Sequence, residues 1–437
     1  MIRRDALLEY VRASLWVLPA LSVAAALAAG ALLSAVNVGV HSPLAFQGTP
    51  DDARDLLIGI ASTMVTVIAL LLGLTVVALQ LSSTQFSPRL LRNFLRDRPN
   101  QIVLSAFVAT FAYSAAGLYT VGFSGGNRTA DFPRLAVSGS LVLLFLSLGL
   151  LVFFADHLAH SIQIDTIMNV VQRNTVTVIE HRLLTGGEDA PEVPDGATAV
   201  TSWRSGYVQA VRCSDLLSQA ARYGVCVRLR PRVGEHVVAG STLAWIWPVS
   251  PVSRGGPAPD LRRVTAALES WVRIGFERTL EQDAAFGVRQ LIDTACKALS
   301  PAVNDPYTAV QAIDHLSVIF CALAQQPLGD HVARQPGGAA VIVPGWRFPD
   351  YLTVMCGLIR RYGASEPTVA SALLQLLAAC AGVANGDPEL CTAIEEQARL
   401  IVADTEREVP QPADLVPVRA EAEVVRLALL GQRPSAL

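Results

Sequence analysis

"LLIGIASTMVTVIALLLGLTVVALQL" fills Leu56–Leu81, and none of its residues is charged. A helix crossing the ~30 Å hydrocarbon core needs about 20 apolar residues. Lipid offers no partner to a free peptide group, so a stretch this long and apolar reads as a membrane-spanning helix. Charge stays absent as far as Pro88, and about 33 residues at 1.5 Å each reach roughly 50 Å. The surplus ends in "QLSSTQFSPR", polar yet uncharged until its last residue. Two uses of this helix stand open. The Ser62, Thr63 and Thr66 hydroxyls suit tight packing inside a four-helix bundle. Alternatively the helix lines a wet pathway, with Gln80, Ser82, Ser83, Thr84 and Gln85 at its inner mouth.

Three more stretches qualify by the same length rule, so residues 1–160 read as a transmembrane domain with spans at 15–36, 56–81, 102–121 and 135–154. Arg3, Arg4 and Arg12 precede the first span in the manner of a secretory signal. Its apolar run is long and shows no small-residue cleavage site, so it reads as an anchor. Arg89, Arg92, Arg96 and Arg98 lie between spans two and three. The other two loops, with Asp51, Asp52, Arg54 and Asp55 and with Arg128, Asp131 and Arg134, are poorer in arginine. The excess of positive charge on cytoplasmic loops then puts both termini in the cytoplasm.

Composition agrees. The 437 residues are 52% apolar and 16% charged, against roughly 25% charged for a soluble domain. Charges are scarce up to Asp156 and ordinary afterwards, and the net charge of -3 gives no reason to expect nucleic acid. Seven cysteines (Cys213, Cys226, Cys296, Cys321, Cys356, Cys380 and Cys391) all lie after the membrane half, without a CxxC pair. An odd, unpatterned set argues against a disulfide framework or a zinc site and fits a reducing compartment.

After span four, "ADHLAHSIQIDTIMNVVQRNTVTVIEHRLL" keeps helical spacing, so the helix is expected to run on to about Leu184. His157 and His160 share a face with Asp156 beside them, a grouping that can share a metal ion but lacks a third defined ligand. Histidines at a membrane interface are the plainer account. The cytoplasmic helix and a Gly/Pro/acid-rich linker fill 161–198. Period-two, valine-rich segments then predict a small β-rich module over 199–249. Its hairpin "VGEHVVAGSTLAWIW" has no lysine at the turn for covalent cofactor carriage, while Arg228, Arg230 and Arg232 alternate on one strand face, either solvated or facing an anion. A second linker, "SPVSRGGPAPD", leads to a predicted α-helical domain over 261–437.

One polar stretch there, "FERTLEQDAAFGVRQLIDTACKALSPAVNDPYTA" (Phe276–Ala309), competes for a functional reading. A helix over Thr279–Leu299 puts Val288, Leu291, Ala295 and Leu299 on an apolar stripe and Arg289, Asp293 and Lys297 on a polar one. Ser300-Pro301 ends it, and Asp305-Pro306 caps and starts the next helix. That is a structural joint. The surplus of polar groups also offers an ion or small-ligand site at Asp283, Arg289, Asp293, Asn304 and Asp305. No nucleotide-binding, zinc-protease or serine-hydrolase signature accompanies it, so no catalytic residue and no cofactor is assigned.

"VVALQLSSTQFSPRLLRNFLRD", "RTLEQDAAFGVRQLIDTACKALSPAVNDPYTA", "SGYVQAV" and "GEHVVAGSTLAWI" resemble the bacterial predicted membrane-protein family catalogued as domain of unknown function 2254. The likeness covers most of the chain and implies four spans and then a cytoplasmic region; the expected location is the inner membrane. It implies no chemistry. The resulting expectation is a mostly α protein in lipid, acting as a homo-oligomeric passive channel gated by its cytoplasmic region. The alternative is a membrane-anchored ligand sensor or scaffold without a pore. A membrane-bound enzyme has no motif behind it.

Overall fold

The computed structural model describes residues 16–36, 44–85, 98–121, 132–161, 163–186, 190–249, 261–384 and 386–432. Arg3, Arg4, Arg12, Arg89, Arg92, Arg96, Arg128 and Asp131 lie outside them, as do the side chains of Ser82, Ser83, Thr84 and Gln85. The chain divides into two compact units, Met1–Ile167 and Met168–Leu437.

Among the described residues, four long helices make the first unit: α1 (Val17–Ala35), α2 (Pro50–Gln85), α3 (Arg98–Val121) and α4 (Arg134–Ser161). Each matches one expected span. α3 is the central helix, packed against the other three. Its sequence explains why. It supplies small and hydroxyl residues that let backbones approach, and hydrogen bonds between helices replace a hydrophobic force that lipid does not provide. Ser105, Thr110, Tyr113 and Ser114 are buried on α3, as are Ser140 and Ser147 on α4. Thr110 Oγ1 and Ser147 Oγ lie 2.9 Å apart, Tyr113 Oη donates to the Ala136 carbonyl at 2.8 Å, and Ser22 Oγ donates to the Ser105 carbonyl at 3.0 Å.

The hydroxyls of α2 do something else. Ser62, Thr63 and Thr66 are exposed rather than packed inside the bundle, which corrects the first of the two expectations for this helix. Each donates to a carbonyl of its own helix, Ser62 and Thr63 to Gly59 and Thr66 to Ser62. At 36 residues, α2 is about 54 Å long, so its surplus beyond the hydrocarbon is real helix. A reciprocal cap starts it: Thr49 N donates to Asp52 Oδ2 and Asp52 N donates to Thr49 Oγ1.

α4 does not run on to Leu184 as one continuous helix. The chain breaks beside Gln163 and restarts as α5 (Ile164–His181). α5 is amphipathic, and Asp165 in its first turn favours a fresh helix start.

The second unit holds two sheets and a helical body. β1 (Thr198–Thr201) starts one residue before the expected module, and β2 (Gly206–Val211), β3 (Val225–Leu229), β4 (His236–Val237) and β5 (Thr242–Pro248) lie inside it, with α6 (Cys213–Arg222) between β2 and β3. The sheets do not stop at Val249, however. β6 (Val272–Gly275) comes directly after α7 (Leu261–Trp271), and β7 (His331–Arg334) and β8 (Ala340–Val343) come later still. The strand orders are β1-β5-β3-β8-β7 and β4-β2-β6. Among the described strands only β3 and β8 pair in parallel. The region 261–437 is therefore not purely helical, and its strands complete the module's core of Val208, Leu229, Leu243, Ile246, Ile274 and Val341.

α8 (Ala284–Ala298), α9 (Pro306–Ala324), α10 (Phe348–Gly363), α11 (Pro367–Val383), α12 (Pro388–Glu408) and α13 (Leu415–Leu429) complete the fold. By length and composition five described helices could cross a membrane, the four of the first unit and α9. α9 spends its apolar face on the core of the second unit, where Ile313, Leu316, Ile319 and Phe320 are fully buried, and carries Asp314 and His315 at its middle.

α5 seats itself in this body through Met168, Val171, Thr175 and Val178. His315 Nδ1 meets Gln172 Oε1 at 2.5 Å. Gly287 of α8 lies tight against it, since a Cβ there would stand 1.9 Å from Thr175 Oγ1. Gly287→Ala should therefore destabilise the protein by about 1–3 kcal/mol, read as a lower unfolding midpoint of the detergent-purified chain. Thr175→Gly in the same chain should recover part of the loss.

Candidate functional site

The polar stretch that opens at Phe276 bends rather than coils before α8. Asp283 is the residue that makes it do so. Its carboxylate caps α8 by accepting from Phe286 N at 3.1 Å, and it takes Arg278 in a fork, Nε to Oδ2 at 2.5 Å and the second nitrogen to Oδ1 at 3.1 Å. The side chain is 3% exposed. Burial pushes its carboxyl above the ordinary range, and the Arg278 bonds and the Phe286 and Ala285 amides pull the other way. Gly234 lies flat on the carboxylate: its φ is +89°, and a Cβ there would meet Asp283 Oδ2 at 2.0 Å.

Around this pair the two halves of the second unit meet. Gln282 bonds the backbone of Val211 on β2 in both directions, at 2.8 and 3.3 Å. Arg232 stacks on Trp346 at 5.0 Å and stands 3.5 Å from Asp350. Trp346 leans on Tyr351 at 5.3 Å. Burial, with the Asp283 charge second, raises the Tyr351 hydroxyl. A cavity of about 30 Å³ opens between Arg232, Gln282, Asp283, Trp346 and Tyr351. That volume suits a water molecule and is far too small for a metabolite. The buried Trp346 indole N–H beside it has no hydrogen-bond partner. Sequence reading missed Arg278, Gly234 and Trp346, whose roles depend on contacts between segments far apart in the chain.

The residues expected to form an ion or ligand site are spread over three places. Asp283 caps the start of α8. Arg289 and Asp293 pair at 2.8 Å along its flank. Asn304 and Asp305 lie beyond its end, and the 15 residues of α8 hold Asp283 and Asp305 about 22 Å apart. Asp305 accepts from Thr308 N and Oγ1, which lowers its carboxyl below the ordinary range. Asn304 has φ +51°, the left-handed conformation that asparagine tolerates. It lets Asn304 N reach the Ser300 carbonyl and Asp305 N the Ala298 carbonyl. Of the anion candidates, Arg228 pairs with Asp330 and Arg230 bonds the Thr242 carbonyl.

Near the end of α4, His157 is half-buried and His160 is exposed. His157 stacks on Phe153 at 5.7 Å, and His160 Nδ1 meets the Asp156 carbonyl at 2.8 Å. Among the described residues no three His, Cys, Asp or Glu side chains gather to hold a metal.

The pathway candidate is a surface of the first unit. Leu57, Ile60, Met64, Leu71 and Ala78 of α2 face the bundle. Directly opposite, at helical spacing, run Gly59, Ser62, Thr66, Ala69 and Gly73, all exposed, with Gln80 exposed further along. The outer face of α2 thus carries a line of small and hydroxyl residues, followed on the same side by the exposed Val76 and Val77.

A family model described as "Predicted membrane protein (DUF2254)" matches residues 12–379. The chain is 43% identical over its whole length to the uncharacterized protein Rv1290c of Mycobacterium tuberculosis, covering 84% of that protein. It is equally similar to the uncharacterized protein Mb1321c of Mycobacterium bovis, with the same coverage. No solved structure matches it.

Asp283→Asn should cost about 3 kcal/mol, because it leaves the Arg278 guanidinium without its charge partner. Chemical denaturation should show that Arg278→Met combined with it costs less than the sum of the single changes. Asn304→Gly should stay within about 0.5 kcal/mol of wild type, whereas Asn304→Val should lose about 1–2 kcal/mol. A loss with glycine as large as with valine would mean that the amide itself has a partner.

Proposed function

The chain belongs to the DUF2254 family of predicted membrane proteins, and from that premise we propose that it is a homo-oligomeric, passive ion or solute channel of the bacterial inner membrane. Its soluble unit faces the cytoplasm and gates the pathway. The observation that carries this reading is the outer stripe of α2. Glycine and hydroxyl side chains gain little by facing acyl chains, whereas they favour close approach of another helix. A second copy of the same helix supplies that neighbour. Copies of α2 arranged about an axis then carry Ser62, Thr66 and Gln80 toward the lumen, with Ser82, Ser83, Thr84 and Gln85 at the inner mouth.

Orientation rests on the arginines. The N-terminal segment and the loop between spans two and three are the arginine-rich ones, and such segments stay in the cytoplasm. Four spans return the chain to that side. All seven cysteines of the second unit are free thiols, as a reducing compartment keeps them.

Two measurements test the proposal. In native membranes, Ser62→Cys and Gly73→Cys should cross-link copies under mild oxidation, while Leu74→Cys, a third of a turn away, should cross-link far less. The purified protein in liposomes should pass ions down a gradient, and Thr66→Leu should reduce that flux several-fold. Monomers throughout, with no flux at any voltage or membrane tension, would sink the channel. Cross-linking without flux would favour the anchored sensor or scaffold.

A further inference from the structure

A groove of about 410 Å³ runs between α12 and α13. These helices lie beyond the residues that the family model matches. They are antiparallel neighbours, since Arg419 near the start of α13 pairs with Glu406 near the end of α12. Small side chains make the groove. Ala398 and Ala403 on one wall and Ala422 on the other leave room beside Val402 and Val425 that larger residues would fill. Leu429 lines the end away from Glu406, and the next residue, Leu430, is 59% exposed. An apolar hole and an exposed apolar knob thus stand side by side.

The rim carries both signs. Glu395 lines the Leu429 end and has no ion-pair partner among the described residues. Arg399 and Arg426 line opposite walls, and each pairs with an exposed glutamate of its own helix, Glu396 and Glu423. Exposed pairs of this kind contribute little, so they rearrange readily when a better partner comes.

We propose that this face is a contact between two copies of the chain, in which Leu430 of each enters the α12–α13 groove of the other. It rests on the homo-oligomeric reading above and adds a place where the soluble units touch. The contact is isologous. A two-fold axis makes one patch meet itself, so the patch must be its own complement.

This patch meets that condition in shape and in charge. Setting Leu430 over the partner's Val402 carries Glu395, at the same end of the groove, toward the partner's Arg399 and Arg426. The axis repeats both contacts, so two knobs fill two holes and two unpaired carboxylates gain guanidinium partners. A small ligand or an unrelated protein would occupy the groove but give no use to the knob beside it. Anchoring in one membrane concentrates the copies, so a contact of modest area is enough to hold them together.

The test uses the full chain in native membranes. The photo-crosslinker p-benzoylphenylalanine in place of Leu430 should give a dimer on denaturing gels, its adduct mapping to α12 or α13 of the second copy. The same probe in place of the exposed Ala403 should give the dimer too. On that Ala403 background, Leu430→Glu should lower the yield about tenfold, as expected when an apolar anchor becomes a charge. Leu430→Met, apolar and of similar size, should keep it. Because Leu430 is exposed, neither change threatens the fold, and circular dichroism of the purified variants checks this. Adducts only within one chain, to lipid or to another protein overturn the contact, as does a dimer yield that Leu430→Glu leaves unchanged. Cysteine cross-links through α2 without these adducts remove this contact and leave the homo-oligomer standing. Neither kind of cross-link in the same membranes removes both.

Discussion

Hydrocarbon accepts no unpaired peptide group, and the whole first unit obeys that constraint. It turns four apolar stretches into four helices and then leaves them with little reason to associate, since their side chains are as content in lipid as against one another. What associates them is the content of α3. Its small residues admit the neighbouring helices, and its hydroxyls reach them, as Thr110 reaches Ser147 and Tyr113 reaches the Ala136 carbonyl. The most polar of the four interiors is therefore the one at the centre. α2 shows the complementary case, with hydroxyls turned outward and satisfied within their own helix.

The second unit is governed by ordinary burial, and its weak point is electrostatic. A carboxylate almost sealed from water sits where sheet and helices join. It is tolerable because Arg278, the Phe286 amide and a residue without a side chain, Gly234, surround it. Such an arrangement fixes geometry more than it adds stability. It holds the start of α8 in place, and α8 in turn receives α5 at Gly287. α5 is the next helix after α4 in the chain, and the polar stretch supplies part of its seat at Gly287.

Apolar length is a one-dimensional signal, and the four stretches expected to span all lie in described helices, although α9 meets the same length and composition. Which way Ser62 and Thr66 point was not legible, because both faces of a membrane helix are apolar and periodicity does not separate them. The helix cap at Asp305 was plain from Asp-Pro. Asp283 reads as an interior helix residue in the sequence because its cap lacks a proline and its pairing partner precedes it. β6 and β7, at four residues each, are too short for their pattern to stand out, and β8, Ala340–Val343, shows no period at all. Buried on both faces, such a run looks like any apolar turn of helix.

One pairing bears on biosynthesis. β3 lies beside β8 in parallel, with Cys226 against Ala340, so more than a hundred residues must leave the ribosome between the two. During that interval the membrane helices are already committed to the bilayer while β3 presents a bare edge. An open strand is a template for wrong partners, including the same strand on a neighbouring nascent chain. The order of synthesis thus makes the early half of the sheet a natural client for a holding chaperone until its last strands arrive.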